Sequence, residues 1–178
     1  MAAGALVAAL SLLLAACSSG SSPSAARTQV SQRPLPAGPV PSKIALMVCS
    51  PKAQKEIAET LGVKATVSTP TWVDHAYSCR YQYADGSFEL TVKELSSWPQ
   101  TLAYFTATGR QQGQSGTIPN LGQGAYQTAD GSAVVRKDWK ILTVDISGLP
   151  AQFGNPPTSR GDVAVTVADL ILACWAGD

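Results

Sequence analysis

One histidine, His75, stands in 178 residues, and it follows Asp74 directly. A carboxylate beside an imidazole can orient a general base. Neighbours on a strand point to opposite faces, so the pair makes a poor dyad, and His75 reads as a surface or strand-end residue. No Gly-x-Ser-x-Gly elbow supplies a nucleophile. A single histidine also excludes a His-rich metal site and a His-Glu-x-x-His zinc protease. The closest carboxylate pairs, Glu56/Glu59 and Glu89/Glu94, fall on polar faces near Lys52, Lys55 and Lys93. They read as solvated surface charge. Gly109-Arg110-Gln111-Gln112-Gly113 and Gly122-Gln123-Gly124 lack Gly-Lys-Ser/Thr, and Gln127 stands where a dinucleotide fingerprint needs its third glycine. They read as a mobile loop and a strand entry. Arg160-Gly161-Asp162 spells an adhesion tripeptide, but it sits where a helix needs its cap. No catalytic residue, metal ligand or cofactor site is expected. Among Trp72, Trp98, Trp139 and Trp175, spacing assigns Trp98 to the core. Trp139, at the tip Lys137-Asp138-Trp139-Lys140, is the candidate partner contact, because an exposed aromatic can stack on a ligand.

Thirteen Lys/Arg against twelve Asp/Glu leave a net charge of +1, which argues against nucleic acid. The first residues carry an address. Ala2 to Ala16 has no charge, too short a run for a comfortable membrane span and right for a signal-peptide core. Leu14-Ala15-Ala16-Cys17 followed by Ser18-Ser19-Gly20 resembles a bacterial lipobox. That resemblance implies cleavage before Cys17 and two or three acyl chains on it, enough to hold a protein on a membrane. A plain secretory peptide cut at Ala-x-Ala, or a buried Ala/Leu helix, is the alternative reading. Met1-Ala2-Ala3-Gly4 lacks the usual positive charge, which favours a start further upstream. Residues 17–42 read as the lipidated cysteine and a disordered tether rich in Ser and Pro, which buries too little surface to repay its ordering entropy; an ordered N-terminal arm is the alternative.

Residues 43–178 read as one extracytoplasmic domain. The expected class is α+β: an antiparallel sheet of hairpins with about three helices packed on it. Ile44 to Val48 is a short apolar run. Ser50-Pro51 opens a helix with Ala53, Ile57, Ala58 and Leu61 inward, and Gly62 closes it. Val67 to His75 reads as a strand interrupted by Pro70. Asp85-Gly86 signals a type I′ turn that pairs Tyr83 with Phe88, Tyr81 with Leu90 and Cys79 with Val92. A second helix starts near Ser97 with Trp98, Leu102 and Phe105 inward and stops at Gly109, and a loop runs to Thr117. Asp130-Gly131 turns a second hairpin between 125–128 and 133–136, and Ile141 to Ile146 is a strand. The last helix spans about 162–176, with Val163, Val167, Leu170 and Cys174 inward and Gly177 at its end. Residues 81–87 and 126–132 differ at one position, and Leu-Thr-Val recurs at 90–92 and 142–144. This echo means either two related halves or reuse of Asp-Gly turn chemistry.

With Cys17 taken by lipid, Cys49, Cys79 and Cys174 remain. Cys49 at a helix entrance and Cys79 on an inward strand face are the expected disulfide, with Cys174 a buried thiol, although Cys174 pairing with either is also open. No Cys-x-x-Cys spacing supports a metal. The lipobox, the Ser/Gly/Pro tether, Cys49-Ser50 opening a helix, Cys79 on the following strands and Leu121-Gly122-Gln123-Gly124-Ala125-Tyr126 entering a later hairpin together form a pattern. It resembles the small actinobacterial cell-envelope lipoproteins of unknown function. The resemblance implies an extracytoplasmic α+β domain at the cell membrane, with no known catalytic residue. The expected function is a lipid-anchored binding or interaction module for an envelope protein or small molecule. The alternative is a carrier of a lipid or other apolar molecule between sheet and helices.

Overall fold

Serines start the helices. In the computed structural model, which describes residues 34–175, Ser42, Ser50, Ser97 and Ser159 stand in extended backbone. Each accepts a hydrogen bond from the N–H three residues on, capping α1 (Lys43–Met47), α2 (Pro51–Leu61), α3 (Trp98–Gln112) and α4 (Arg160–Ala173). The expected signal peptide, Cys17, the tether up to residue 33 and Gly177 lie outside the described residues. The apolar run after Lys43 becomes α1. The second helix matches its expectation residue by residue: Ala53, Ile57 and Leu61 are buried, and Gly62 caps it in the left-handed conformation (φ 66°). Arg160-Gly161-Asp162 is the first turn of α4, and the Asp162 N–H is held by Ser159 Oγ.

The strands are β1 (Thr66–Val67), β2 (Thr71–Val73), β3 (Ala76–Tyr83), β4 (Gly86–Glu94), β5 (Gln114–Thr117), β6 (Ala125–Thr128), β7 (Ala133–Lys137) and β8 (Lys140–Asp145). They form one eight-stranded antiparallel sheet in the order β1-β3-β4-β8-β7-β6-β5, with β2 beside β1 along the outer edge of β3. A separate pair, β9 (Gln152–Phe153) and β10 (Thr158–Ser159), leads into α4. The α+β class is as expected. One sheet face buries Cys79, Tyr81, Leu90, Val92, Leu142 and Val144 in a cluster with α1, α2 and α4. On the other face α3 covers Tyr126, Val134 and Ile141 through Phe105. The β3–β4 part of that face carries an exposed Arg80–Glu89 ion pair at 3.3 Å. Cys49 and Cys79 are bridged, with Cα atoms 6.0 Å apart, and tie the end of α1 to β3. Cys174 lies outside that bridge, half-buried on the flank of α4, its thiol 3.7 Å from a Glu56 carboxylate oxygen.

Several expectations are corrected. The first hairpin has the expected faces, but its loop is Ala84-Asp85, and Tyr81 pairs with Phe88, Cys79 with Leu90 and Tyr77 with Val92. A slip of two residues preserves every face, so the side-chain pattern cannot detect it. Asp74-His75 is not strand but the two-residue loop between β2 and β3. The third helix passes through Gly109 and ends at Gly113 (φ 68°). A Cβ on Gly109 would stand 3.3 Å from the Tyr126 ring, so this glycine lets the helix lie close on the sheet. The segment after it is the edge strand β5, not a loop. The inner face of α4 is Val163, Ala164, Val167, Ala168 and Ile171, with Leu170 only half-buried, because the two alanines permit close approach. The echoed segments fold differently: Tyr83 pairs with Gly86 in one, whereas the other opens a longer loop after Gln127↔Ala133, with Gly131 at φ 93°. The recurring Leu-Thr-Val segments lie side by side, Thr91 opposite Thr143.

Candidate functional site

Two hairpin loops sit at one end of the sheet. Asp74-His75 (φ 49° and 57°) and Asp138-Trp139 (φ 49° and 58°) are both left-handed at both positions, as a two-residue type I′ loop demands. His and Trp are unfavourable there by roughly 1 kcal/mol. The loops bracket the end of β4. The Glu94 N–H donates to the His75 carbonyl at 2.8 Å, and the Leu95 N–H donates to the Trp139 carbonyl at 2.9 Å.

Residues 34–42, the last part of the expected tether, run across this end as an ordered arm. The Ser42 N–H donates to Glu94 Oε1 at 3.0 Å, and Trp72 Nε1–H donates to the Pro39 carbonyl at 3.1 Å. His75 Nδ1 lies 3.0 Å from the Gly38 carbonyl, which can only accept, so Nδ1 carries the proton. The Ala37 N–H donates to the Leu95 carbonyl at 3.1 Å. Four prolines in the arm have no N–H to satisfy, so these few bonds suffice to seat it.

The arm begins in an aromatic slot of about 450 Å³ lined by Pro34, Trp98, Gln123, Arg136, Asp138 and Trp139. The Arg136 guanidinium stacks 4.2 Å from the Trp98 ring centre and 5.5 Å from that of Phe105. Gly122-Gln123-Gly124 cradles it. A Cβ on Gly124 would stand 2.9 Å from Arg136 Nη2, and that nitrogen donates to the Gln123 carbonyl. The Gln123 amide in turn pairs with the Asp138 carboxylate (3.4 Å) and N–H (3.2 Å). Burial pushes the Arg136 pKa below its ordinary value, yet guanidinium remains a cation at neutral pH. The slot therefore offers two indole faces, one cation and one carboxylate.

A second concavity, a cleft of about 580 Å³, opens between α2 and the β1–β3 edge. Ala58, Val63, Ala65, Val67, Tyr81 and Tyr83 line it together with Lys64 and the Lys55–Glu59 pair. Burial pushes both phenols well above the usual tyrosine value, so the two tyrosines are neutral. The Tyr81 hydroxyl donates to the Val48 carbonyl at 2.7 Å.

Trp139 is at its expected loop tip, but it is half-buried in the slot. Trp98 is 41% exposed, not core. The bulky sheet surface beneath α3 is met by Thr101, Thr108 and Gly109, which rotates Trp98 to the rim against Arg136. His75 is exposed and holds the arm. Trp175 is buried. Arg136 and Gln123 were not singled out as site residues from sequence, and an ordered arm stood there only as the alternative to a disordered tether. The paired glycines around Gln123 were the available signal, since such glycines mark close approach of a neighbour. Among the described residues no group of three His, Cys, Asp or Glu could hold a metal, and no helix is long and apolar enough to cross a membrane. No family model, curated protein or solved structure matches the chain.

Proposed function

We propose that the chain is a membrane-anchored extracytoplasmic lipoprotein, held by lipid on Cys17, whose domain is a binding module rather than an enzyme. The lipobox-like Leu14-Ala15-Ala16-Cys17 supports the anchor. The Cys49–Cys79 bridge supports an oxidising compartment outside the cytoplasm. The observation that carries the binding role is the slot, where Trp98 stands exposed yet is held rigid by the Arg136 stack beside Trp139. Aromatic and arginine side chains presented in a preorganised setting dominate binding energy at interfaces. Trp139→Ala should weaken association of the slot with its partner by about 2 kcal/mol or more, with the fold intact. Unchanged binding, measured on purified partner, would remove the slot from the function.

A second reading, a carrier of a lipid or other apolar envelope molecule, is favoured by the aliphatic and tyrosine side chains that line the α2/β1/β3 cleft beside Lys55, Glu59 and Lys64. Its volume falls within the range of small-molecule sites. Native mass spectrometry of protein extracted from membranes tests it: a carrier retains bound lipid, and a protein released bare from gentle detergent is no carrier.

A further inference from the structure

The arm crosses one end of the domain. Its bonds at Ser42, Pro39, Gly38 and Ala37 carry it from the start of α1 to Pro34, between Trp98 and Trp139. Five of the seven large apolar side chains exposed among the described residues lie on the arm, next to a residue bonded to it, or on the first turns of α3: Leu35, Val40, Val73, Trp98 and Leu102. Leu35 (64%) and Val40 (68%) are on the arm itself, and Val73 (63%) stands between Trp72 and the Asp74-His75 loop, both bonded to the arm. Leu102 lies one turn beyond Trp98 on α3. Scattered exposed hydrophobics are ordinary, but a concentration at one end marks an interaction surface.

The sequence of α3 points the same way. It holds fifteen residues with one charged side chain, Arg110, whereas the eleven residues of α2 hold four. Two cations of this end sit on aromatic rings, Arg136 over Trp98 and Lys93 5.8 Å from the Tyr104 centre. Its acidic side chains are few: Glu94 is buried, Asp138 is held by Gln123, and Asp74 lies in its loop. Between Cys17 and Ser42 the only charged residues are Arg27 and Arg33. Trp and Tyr with aliphatic neighbours and basic residues are the composition of a surface lying at a lipid headgroup boundary.

From these observations we infer that the arm and the α3 end dock on an anionic lipid bilayer, which is the partner of the Trp98 slot. The inference rests on the anchoring reading above. The chain from Cys17 to Pro34 can span at most roughly 60 Å even fully extended, so an acylated Cys17 confines this end near the membrane. Each cation close to an anionic surface adds attraction, and the apolar side chains enter the acyl boundary.

The test uses the acylated full-length protein purified from membranes and reconstituted in vesicles of phosphatidylglycerol and phosphatidylcholine containing brominated acyl chains. Tryptophan quenching and flotation are read together. We expect quenched fluorescence, and Trp98→Phe should reduce that quenching at least about twofold, since Trp98 is the exposed indole at the interface. Leu102→Gln, at an exposed position, should reduce it as well, with circular dichroism confirming the fold of both. Protein that floats with tryptophans unquenched, or quenching indifferent to both substitutions, overturns the docking and leaves the anchor intact. Protein that does not float overturns both. Crosslinking of position 98 to an envelope protein in place of lipid also overturns it.

Discussion

Ala-Asp-Gly-Ser occurs at 84–87 and at 129–132, and its glycine has a different role in each place. A Cβ on Gly86 would stand 2.5 Å from the Gly148 carbonyl oxygen, so that glycine permits a close approach. Gly131 turns with φ 93°. Beside it Asp130 accepts from the Thr128 hydroxyl and, at 3.0 Å, from the Ser132 N–H. Burial alone would raise the Asp130 pKa. The bonds from Thr128 and Ser132, with the charge of Arg160, outweigh burial and hold the carboxyl below its ordinary 3.8. A carboxylate depressed in the folded state stabilises above its unfolded pKa, and that share is lost as pH falls through the folded value. Asp130→Asn should therefore cost about 1 kcal/mol at neutral pH, a hydrogen-bond figure discounted for exposure. In urea melts the gap to the unsubstituted protein should narrow as pH falls below the ordinary 3.8 and through the folded value; a gap that does not change with acid refutes the linkage. Gly62 makes a sharper case. It has φ 66°, and a Cβ would stand 2.1 Å from the Asn155 carbonyl oxygen, so Gly62→Ala should cost at least about 2 kcal/mol by denaturant titration.

Local signals account for how each helix starts, and less well for where two of them stop. The α2 caps were legible because Ser50, Pro51 and Gly62 act on backbone groups within a turn of themselves. Gly109 misled because a glycine that admits the Tyr126 ring has the same identity as one that ends a helix. The first hairpin kept its faces and slipped its register, since alternation has period two and cannot distinguish shifts of two. The link between α1 and β3 was readable from Cys49 and Cys79, and its strength follows from the thirty residues it spans. Reduction should lower stability by roughly 3.5 kcal/mol in the chain-entropy picture. Non-reducing peptide mapping should recover Cys49 linked to Cys79; a linked peptide containing Cys174 in their place would refute the pairing.

Across the molecule, one sheet end gathers the arm, both left-handed loops, the aromatic slot and most of the exposed apolar side chains. The other concavity lies between α2 and the β1–β3 edge. If the anchor reading holds, Cys17→Ala should move the protein from the membrane fraction to the soluble fraction, or leave it uncleaved, by fractionation and immunoblotting. Processing and membrane retention unchanged by the substitution would defeat it. The arm should behave as part of the domain: the Ala37 amide, bonded to Leu95, should exchange with deuterium more slowly than an open chain, and Trp72→Phe should speed it by removing the bond to Pro39.

Residue order sufficed for what neighbours in the chain decide among themselves: the Ser50 cap, Pro51, the helix start near Ser97, the alternation of β3 and β4, and the α+β class. These depend on hydrogen bonds and side-chain directions repeated over a few residues. The strand order, with β4 beside β8, depends on which hairpins bury each other's faces. The outward turn of Trp98 depends on the bulk of Tyr126 and Ile141 beneath α3, and the seating of the arm on donors at Trp72 and His75 and an acceptor at the Leu95 carbonyl, beyond reach of any local pattern. Unlike the Cys49–Cys79 bridge, which residue type alone announced, the contacts of Trp72 with Pro39 and of His75 with Gly38 are chosen by the packing of the whole, so they became visible only in three dimensions.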